Sequence, residues 1–197
     1  MMTRNRHLLW GKKLLTISRK EQLNQLKQDR SLVTLFLDSG YSNRNISLVL
    51  GAKDGFDAHV GSSWHMLIPY RREGYVSNIP IASRDYGILL SRAIIDEQGI
   101  PSAELPVILF ENFGDESEYY YVSLANMSDD EIIRTIEELA DIVVHESKNG
   151  RRAPDDFRED VTSKIKAHTN KKRILRFVKK STSTTLGVVG AAAGFFG

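Results

Sequence analysis

Short apolar runs alternate along this chain with segments of helical period, and that alternation limits the fold more than any single motif does. Leu14 to Ile17 reads as a first strand. Ser18 and Glu21 have capping-box spacing, the serine oxygen accepting from the backbone N–H three residues on while the glutamate reaches back. A helix is therefore predicted to about Asp29, with Leu23 and Leu26 on its inner face. Leu32 to Leu37 is a continuous apolar and β-branched run closed by Asp38-Ser39-Gly40, the pattern of a buried strand. Asn45 to Leu50 fits a short helix or a strand equally, and the three glycines between Gly51 and Gly61 predict a loop.

Trp64 to Pro69 supplies a third strand, followed by a polar loop holding Arg71, Arg72 and Gly74. From about Ser83 the recurrence of Tyr86, Leu89, Leu90, Ala93 and Ile94 at three- and four-residue steps predicts a helix, with Gly99 at its end. Pro106 to Phe110 and Tyr119 to Leu124 read as two strands of a hairpin. Ser128 and Glu131 form a second capping box, ahead of a stripe of Ile132, Ile133, Ile136, Leu139, Ala140 and Val143. The order is β-α-β-(α)-β-α-β-β-α. Parallel strands need crossover helices and a hairpin pairs antiparallel, so the expected product is a three-layer α/β domain with a mixed sheet. Leu35, Phe36, Leu89, Ile94, Ile108, Ile136 and Leu139 are its expected core.

This order over residues 12 to 145 resembles the thioredoxin-like superfamily. The residues that carry the resemblance are the opening Leu14 to Asp29 unit, the strand Leu32 to Leu37, and the segment Gly99 to Phe110. It implies that Pro106 occupies the place of a proline, usually cis, that opens a strand facing the active loop. The chain contains no cysteine, however. Disulfides, thiolate metal sites and cysteine nucleophiles are excluded together, and the Cys-x-x-Cys of the family is missing. Ser39-Gly40-Tyr41-Ser42 stands in its place, and hydroxyls cannot cycle between thiol and disulfide. Ser39 and Ser42 become candidate ligand-binding residues at a helix start, against the alternative that they only shape a turn.

Other chemistry is thinly marked. Asp57, His59 and His65 lack a familiar zinc spacing, so no metal and no cofactor is expected. Asp38, Ser39 and His65 have the residue types of a nucleophile, base and orienter but no nucleophile elbow. Gly51-Ala52-Lys53-Asp54-Gly55 lacks the order of a phosphate-binding loop. Arg71 and Arg72, beside Tyr70 and Tyr75, are candidates for an anionic or aromatic ligand, or else a solvated loop. Tyr119 to Tyr121 alternate faces in a strand, so one or two of them belong to the core.

Charge divides the chain. From residue 148 onward there are 12 Lys+Arg against 4 Asp+Glu, leaving 15 against 21 in the first 147 residues. The expected organisation is an α/β domain over 1–147, a basic linker or amphipathic helix over 148–183, and an apolar Gly/Ala-rich tail over 184–197. Lys171, Lys172, Arg173, Arg176, Lys179 and Lys180 interleave with apolar residues, and Phe195 and Phe196 lie near the end. Basic residues at the headgroups with inserted phenylalanines suit an anionic membrane surface, and Gly190 to Gly194 is a small-xxx-small pattern that suits self-association. A packed or unstructured tail, and nucleic acid as the partner of the lysines, are the alternatives. No secretory signal is expected within Met1 to Leu15, and no apolar run reaches the length of a spanning helix. The reading is a cytoplasmic, redox-inactive thioredoxin-like binding or regulatory module, peripheral at a membrane or self-associating through its tail. The alternatives are a transferase or hydrolase using the Ser39–Ser42 loop, and a nucleic-acid-binding protein using residues 164–180.

Overall fold

The computed structural model describes residues 14–40, 43–71, 82–113, 119–150 and 152–170. Five strands form one mixed sheet in the order β1-β3-β2-β4-β5: β1 (Leu14–Ile17), β2 (Leu32–Leu37), β3 (Trp64–Pro69), β4 (Val107–Phe110) and β5 (Tyr120–Ser123). β3 pairs parallel with β1 and with β2, whereas β4 runs antiparallel to both β2 and β5. Every residue of β2, β3 and β4 is buried, which is why they read as unbroken apolar runs rather than alternating ones. Both faces of the central strands are covered.

On one face Val33, Leu35, Leu37, Leu67, Val107 and Leu109 meet Leu23 and Leu26 of a short 3-10 helix (Lys20–Leu26), together with Ile94 and Ile95 of α3 (Ile88–Glu97). The alternate residues point the other way. There Trp64 is wholly buried, edge-on to Phe56 of α2 (Lys53–Val60) at 5.0 Å, and its indole N–H donates to Thr34 Oγ1 at 2.9 Å. α1 (Arg44–Gly51) and α4 (Asp129–Ser147) complete that layer. The expected stripe of α4 is buried at Ile132, Ile136, Leu139, Ala140 and Val143, and Ser128 and Glu131 form the expected capping box. The architecture is α/β with a five-stranded mixed sheet, and the Leu105–Pro106 peptide is cis, as expected.

Several expectations are corrected. Residues 53–60 are helical, not loop: Phe56 and Val60, four apart, are buried, and a Cβ at Gly51 or Gly55 would meet nothing within 4 Å, so neither glycine marks a turn. At the first helix Gln22, not Glu21, reaches back, its Oε1 accepting from the N–H groups of Ser18 and Arg19 at 2.8 and 3.2 Å. α3 begins at Ile88 rather than Ser83, and Leu89 is 85% exposed instead of buried. It lies five residues before Ile94, about 140° around a helix of 3.6 residues per turn.

A fifth helix, α5 (154–170), follows α4. The chain divides into two compact units, Met1–Thr162 and Ser163–Gly197. In the first unit, α5 buries Phe157, Arg158 and Val161. The Arg158 guanidinium donates to the carbonyls of Leu26, Lys27, Asp29 and Ser31 at 2.6–3.0 Å, and to Asp155 Oδ1 at 2.8 Å. Its Cζ lies over the Phe113 ring, 4.6 Å from the centroid. It thereby ties together the end of the 3-10 helix and the turn into β2, adding a charged donor at the Leu26 and Asp29 carbonyls, which also accept from the N–H groups of Asp29 and Ser31 at 3.0 and 2.9 Å. Among the described residues no helix is long and apolar enough to cross a membrane.

Candidate functional site

The parallel strands β1, β3 and β2 end together, and in such sheets ligands bind beyond the carboxyl ends of the strands. At that edge β2 runs into Asp38-Ser39-Gly40. Pro106 stands one step beyond the last β2–β4 pair, Leu37 with Val107, so it lies opposite Asp38. Tyr70 and Arg71 continue β3 on the other side, the Tyr70 N–H donating to Ile17 O at 2.7 Å. Ser39, Arg71 and Pro106 therefore share one end of the sheet. Ser42 and Arg72 fall outside the described residues.

Asp38 is buried, and its carboxylate accepts from Ser39 Oγ at 3.1 Å, the Gly40 N–H at 3.3 Å and Asn45 Nδ2 at 3.1 Å. One side chain thus folds the strand end back toward the first turn of α1, an arrangement in which a carboxylate substitutes for missing backbone partners. Its backbone is held as firmly. The Asp38 N–H donates to Tyr86 Oη at 2.8 Å, the Tyr86 hydroxyl donates to Ser91 Oγ at 2.8 Å, and Ser91 donates to Asp38 O at 3.0 Å. Three groups close a ring. Burial pushes the Tyr86 phenol well above its ordinary range, the bonds to Ser91 and Asp38 only partly offsetting that.

Two glycines permit the close approach of α3 to this corner. Gly40 has φ +73°, and a Cβ there would sit 2.7 Å from Ile88 Cγ1. A Cβ on Gly87 would sit 2.7 Å from the Tyr70 backbone nitrogen, and the Gly87 N–H itself donates to Pro69 O at 2.8 Å. At Gly87 main chain meets main chain, and at Gly40 main chain meets the Ile88 side chain.

Asp38, Ser39 and His65 do not assemble. His65 pairs with Val33 in the β2–β3 register, five residues before Asp38, or about 16 Å at the rise of an extended strand. It faces Asp29 at 3.8 Å instead, at the opposite end of the sheet. His59 Nε2 meets Asp141 at 2.8 Å while Asp57 pairs with Lys53 at 2.6 Å, so these side chains do not converge either. Among the described residues no group of three or more His, Cys, Asp or Glu side chains converges. Gly51 to Gly55 is taken up by α1 and α2.

The sequence left Tyr86, Ser91, Asn45 and Arg92 out of the site. Arg92 projects from α3 and donates to Ser39 O at 3.4 Å. Ser91 carried a signal, a hydroxyl within the buried stripe of a helix, where a polar group must find a partner. Of the basic tail, Lys164 and Lys166 are exposed on α5, while Lys171, Lys172, Arg173, Arg176, Lys179, Lys180, Phe195 and Phe196 lie outside the described residues. Comparison with known proteins gives no match to a family model, to a curated protein or to a solved structure.

Proposed function

We propose that this chain is a redox-inactive thioredoxin-like binding or regulatory module, brought to an anionic membrane surface or into self-association by its basic, glycine-rich tail. The observation that carries the reading is the corner where Pro106 stands opposite the Asp38–Gly40 loop in a sheet ordered β1-β3-β2-β4-β5, in a chain without cysteine. The loop's polar groups favour binding over chemistry. The Asp38 carboxylate that accepts from Ser39 Oγ is also engaged by the Gly40 N–H and Asn45 Nδ2, and His65, the expected base, faces Asp29 at the opposite end of the sheet.

The tail reading rests on composition: Lys171 to Lys180 holds six of the Lys and Arg residues and no acid, and Leu186 to Gly197 holds no charge. Electrostatic attraction to an anionic leaflet is about 1 kcal/mol per basic residue near the surface and fades with salt, whereas burial of Phe195 and Phe196 does not fade. Flotation of the full chain with phosphatidylserine vesicles should therefore recover it at low salt. Removing Thr185 to Gly197 should leave a weaker, strongly salt-sensitive association, and replacing the six basic residues by glutamine should abolish it. A full chain that ignores the vesicles at low salt but shifts RNA or DNA would transfer the reading to nucleic acid.

A further inference from the structure

The first turn of α3 carries the one large hydrophobic side chain that stands in solvent among the described residues, Leu89, at 85% exposure. A lone exposed leucine is ordinary, but the charges near this one share a sign. Arg92 and Ala93, three and four residues on and so on the same side of the helix, are both exposed. Arg84, in the turn just ahead of α3, has an 85% exposed side chain. Arg71 is exposed too, and its backbone is fixed to that turn, the Arg71 N–H donating to Asp85 O at 2.9 Å. Asp85 is the one acid between Arg84 and Ile95, with a side chain only 16% exposed, 4.0 Å from Arg84. The next acids, Asp96 and Glu97, fall in the last turn of α3, and Glu97 pairs with Lys20 at 2.6 Å.

This corner adjoins the Asp38–Gly40 loop. Arg92 donates to Ser39 O at 3.4 Å, and a Cβ at Gly40 would stand 2.7 Å from Cγ1 of Ile88, the residue before Leu89. Two kinds of surface complement a leucine among arginines: an acidic protein segment and an anionic bilayer. A protein partner has to supply a fitted pocket for a projecting side chain, with carboxylates fixed around it. A bilayer accepts the leucine wherever it lands, and its mobile headgroups gather at the guanidinium groups. Leu89 and the Arg84 side chain, both 85% exposed, project in the way that suits the bilayer.

We infer that the start of α3 is a second membrane contact, Leu89 entering the acyl region of an anionic bilayer while Arg71, Arg84 and Arg92 meet the lipid headgroups. The inference rests on the membrane reading proposed for the tail and adds an orientation to it. The carboxyl edge of the sheet, with Ser39 and Pro106, is turned toward the lipid. Asp96 keeps the last turn of α3 off the anionic surface, so the helix meets it by its first turn rather than lying flat.

Because the chain has no cysteine, a single introduced thiol can carry an environment-sensitive fluorophore on the full chain. One label sits at Ala93→Cys, beside Leu89, and a control at Glu137→Cys, exposed on α4 in the other layer. With phosphatidylserine vesicles at low salt, emission from position 93 should brighten and shift to the blue, and emission from 137 should not move. Without a label, Leu89→Ser should weaken vesicle affinity by roughly tenfold at any salt concentration. Arg84→Gln with Arg92→Gln should weaken it by about tenfold or more at low salt and by less at high salt, with circular dichroism unchanged. A chain that floats with the vesicles while the label at 93 stays in water overturns the inference and leaves the tail reading standing. So does an equal shift at both positions, or an affinity that Leu89→Ser leaves intact. A chain that does not float at low salt overturns both. If the label at 93 ignores vesicles but responds to polyglutamate, the patch belongs to an acidic protein segment and the inference falls.

Discussion

Tyr86 shows how one side chain can decide the shape of a candidate site. Its hydroxyl is the acceptor for the buried Asp38 N–H and the donor to Ser91. Removing it in Tyr86→Phe leaves a buried donor unbonded, a cost of about 1–3 kcal/mol that a denaturant titration would measure. A loss below about half a kcal/mol would show that the ring of bonds does not hold the loop. The phenol also links stability to pH. Its folded pKa is raised above the ordinary value of 10.0, so the native state holds its proton more tightly than the unfolded chain does. Stability from this source is complete below about pH 10 and is lost as pH rises beyond it. Tyr86→Phe should flatten the alkaline end of the stability profile, and an unchanged profile would refute the assignment.

The elements that carried regular periodicity were legible, and those defined by backbone contact were not. β2, β3 and α4 announced themselves because burial on two faces, or on one stripe, selects apolar residues at fixed spacing. α2 was hidden by glycines that cost a helix some stability without ending it, whereas Gly61, at φ +56°, is the one that does end it. The site was legible only in part. Ser39, Arg71 and Pro106 were named from sequence, but Asp38 emerged as the organiser because its partners come from two distant segments, Asn45 from one and Tyr86 with Ser91 from the other. No local pattern encodes such convergence.

α5 lies within 148–183, where a linker or an amphipathic helix is expected. The charge boundary near residue 148 invites a division of the chain there, yet Phe157, Arg158 and Val161 are buried. The Arg158 guanidinium is desolvated enough that burial lowers its pKa below the ordinary arginine range, with Asp155 opposing. A chain ending at Asn149 loses the donor for four carbonyls, whereas one ending at Asn170 keeps it. The shorter chain should unfold at lower denaturant, as should Arg158→Met in the full chain, by about 1–3 kcal/mol for loss of the charged donor, since the Leu26 and Asp29 carbonyls keep their backbone N–H partners. Equal midpoints for the two truncations would mean that α5 is an appendage.

Across the whole molecule the two sides of the sheet are closed by different kinds of structure. One side relies on a seven-residue 3-10 helix and α3, the other on α1, α2 and α4. Trp64 belongs to the second side, wholly enclosed with its indole N–H bonded to Thr34 and its ring against Phe56. The chain has one other tryptophan, Trp10, so a Trp10→Phe variant would leave a single emitter at the seam between α2 and the sheet. Its native emission should be blue and poorly quenched by iodide, and should turn red and accessible when that side opens. The difference in tyrosine absorbance between the wild type and Tyr86→Phe, isolating one of the seven tyrosines, would then follow the second layer by a separate colour. If both signals change at one denaturant concentration the layers come apart together, and a lag between them would divide the molecule along the plane of its own sheet.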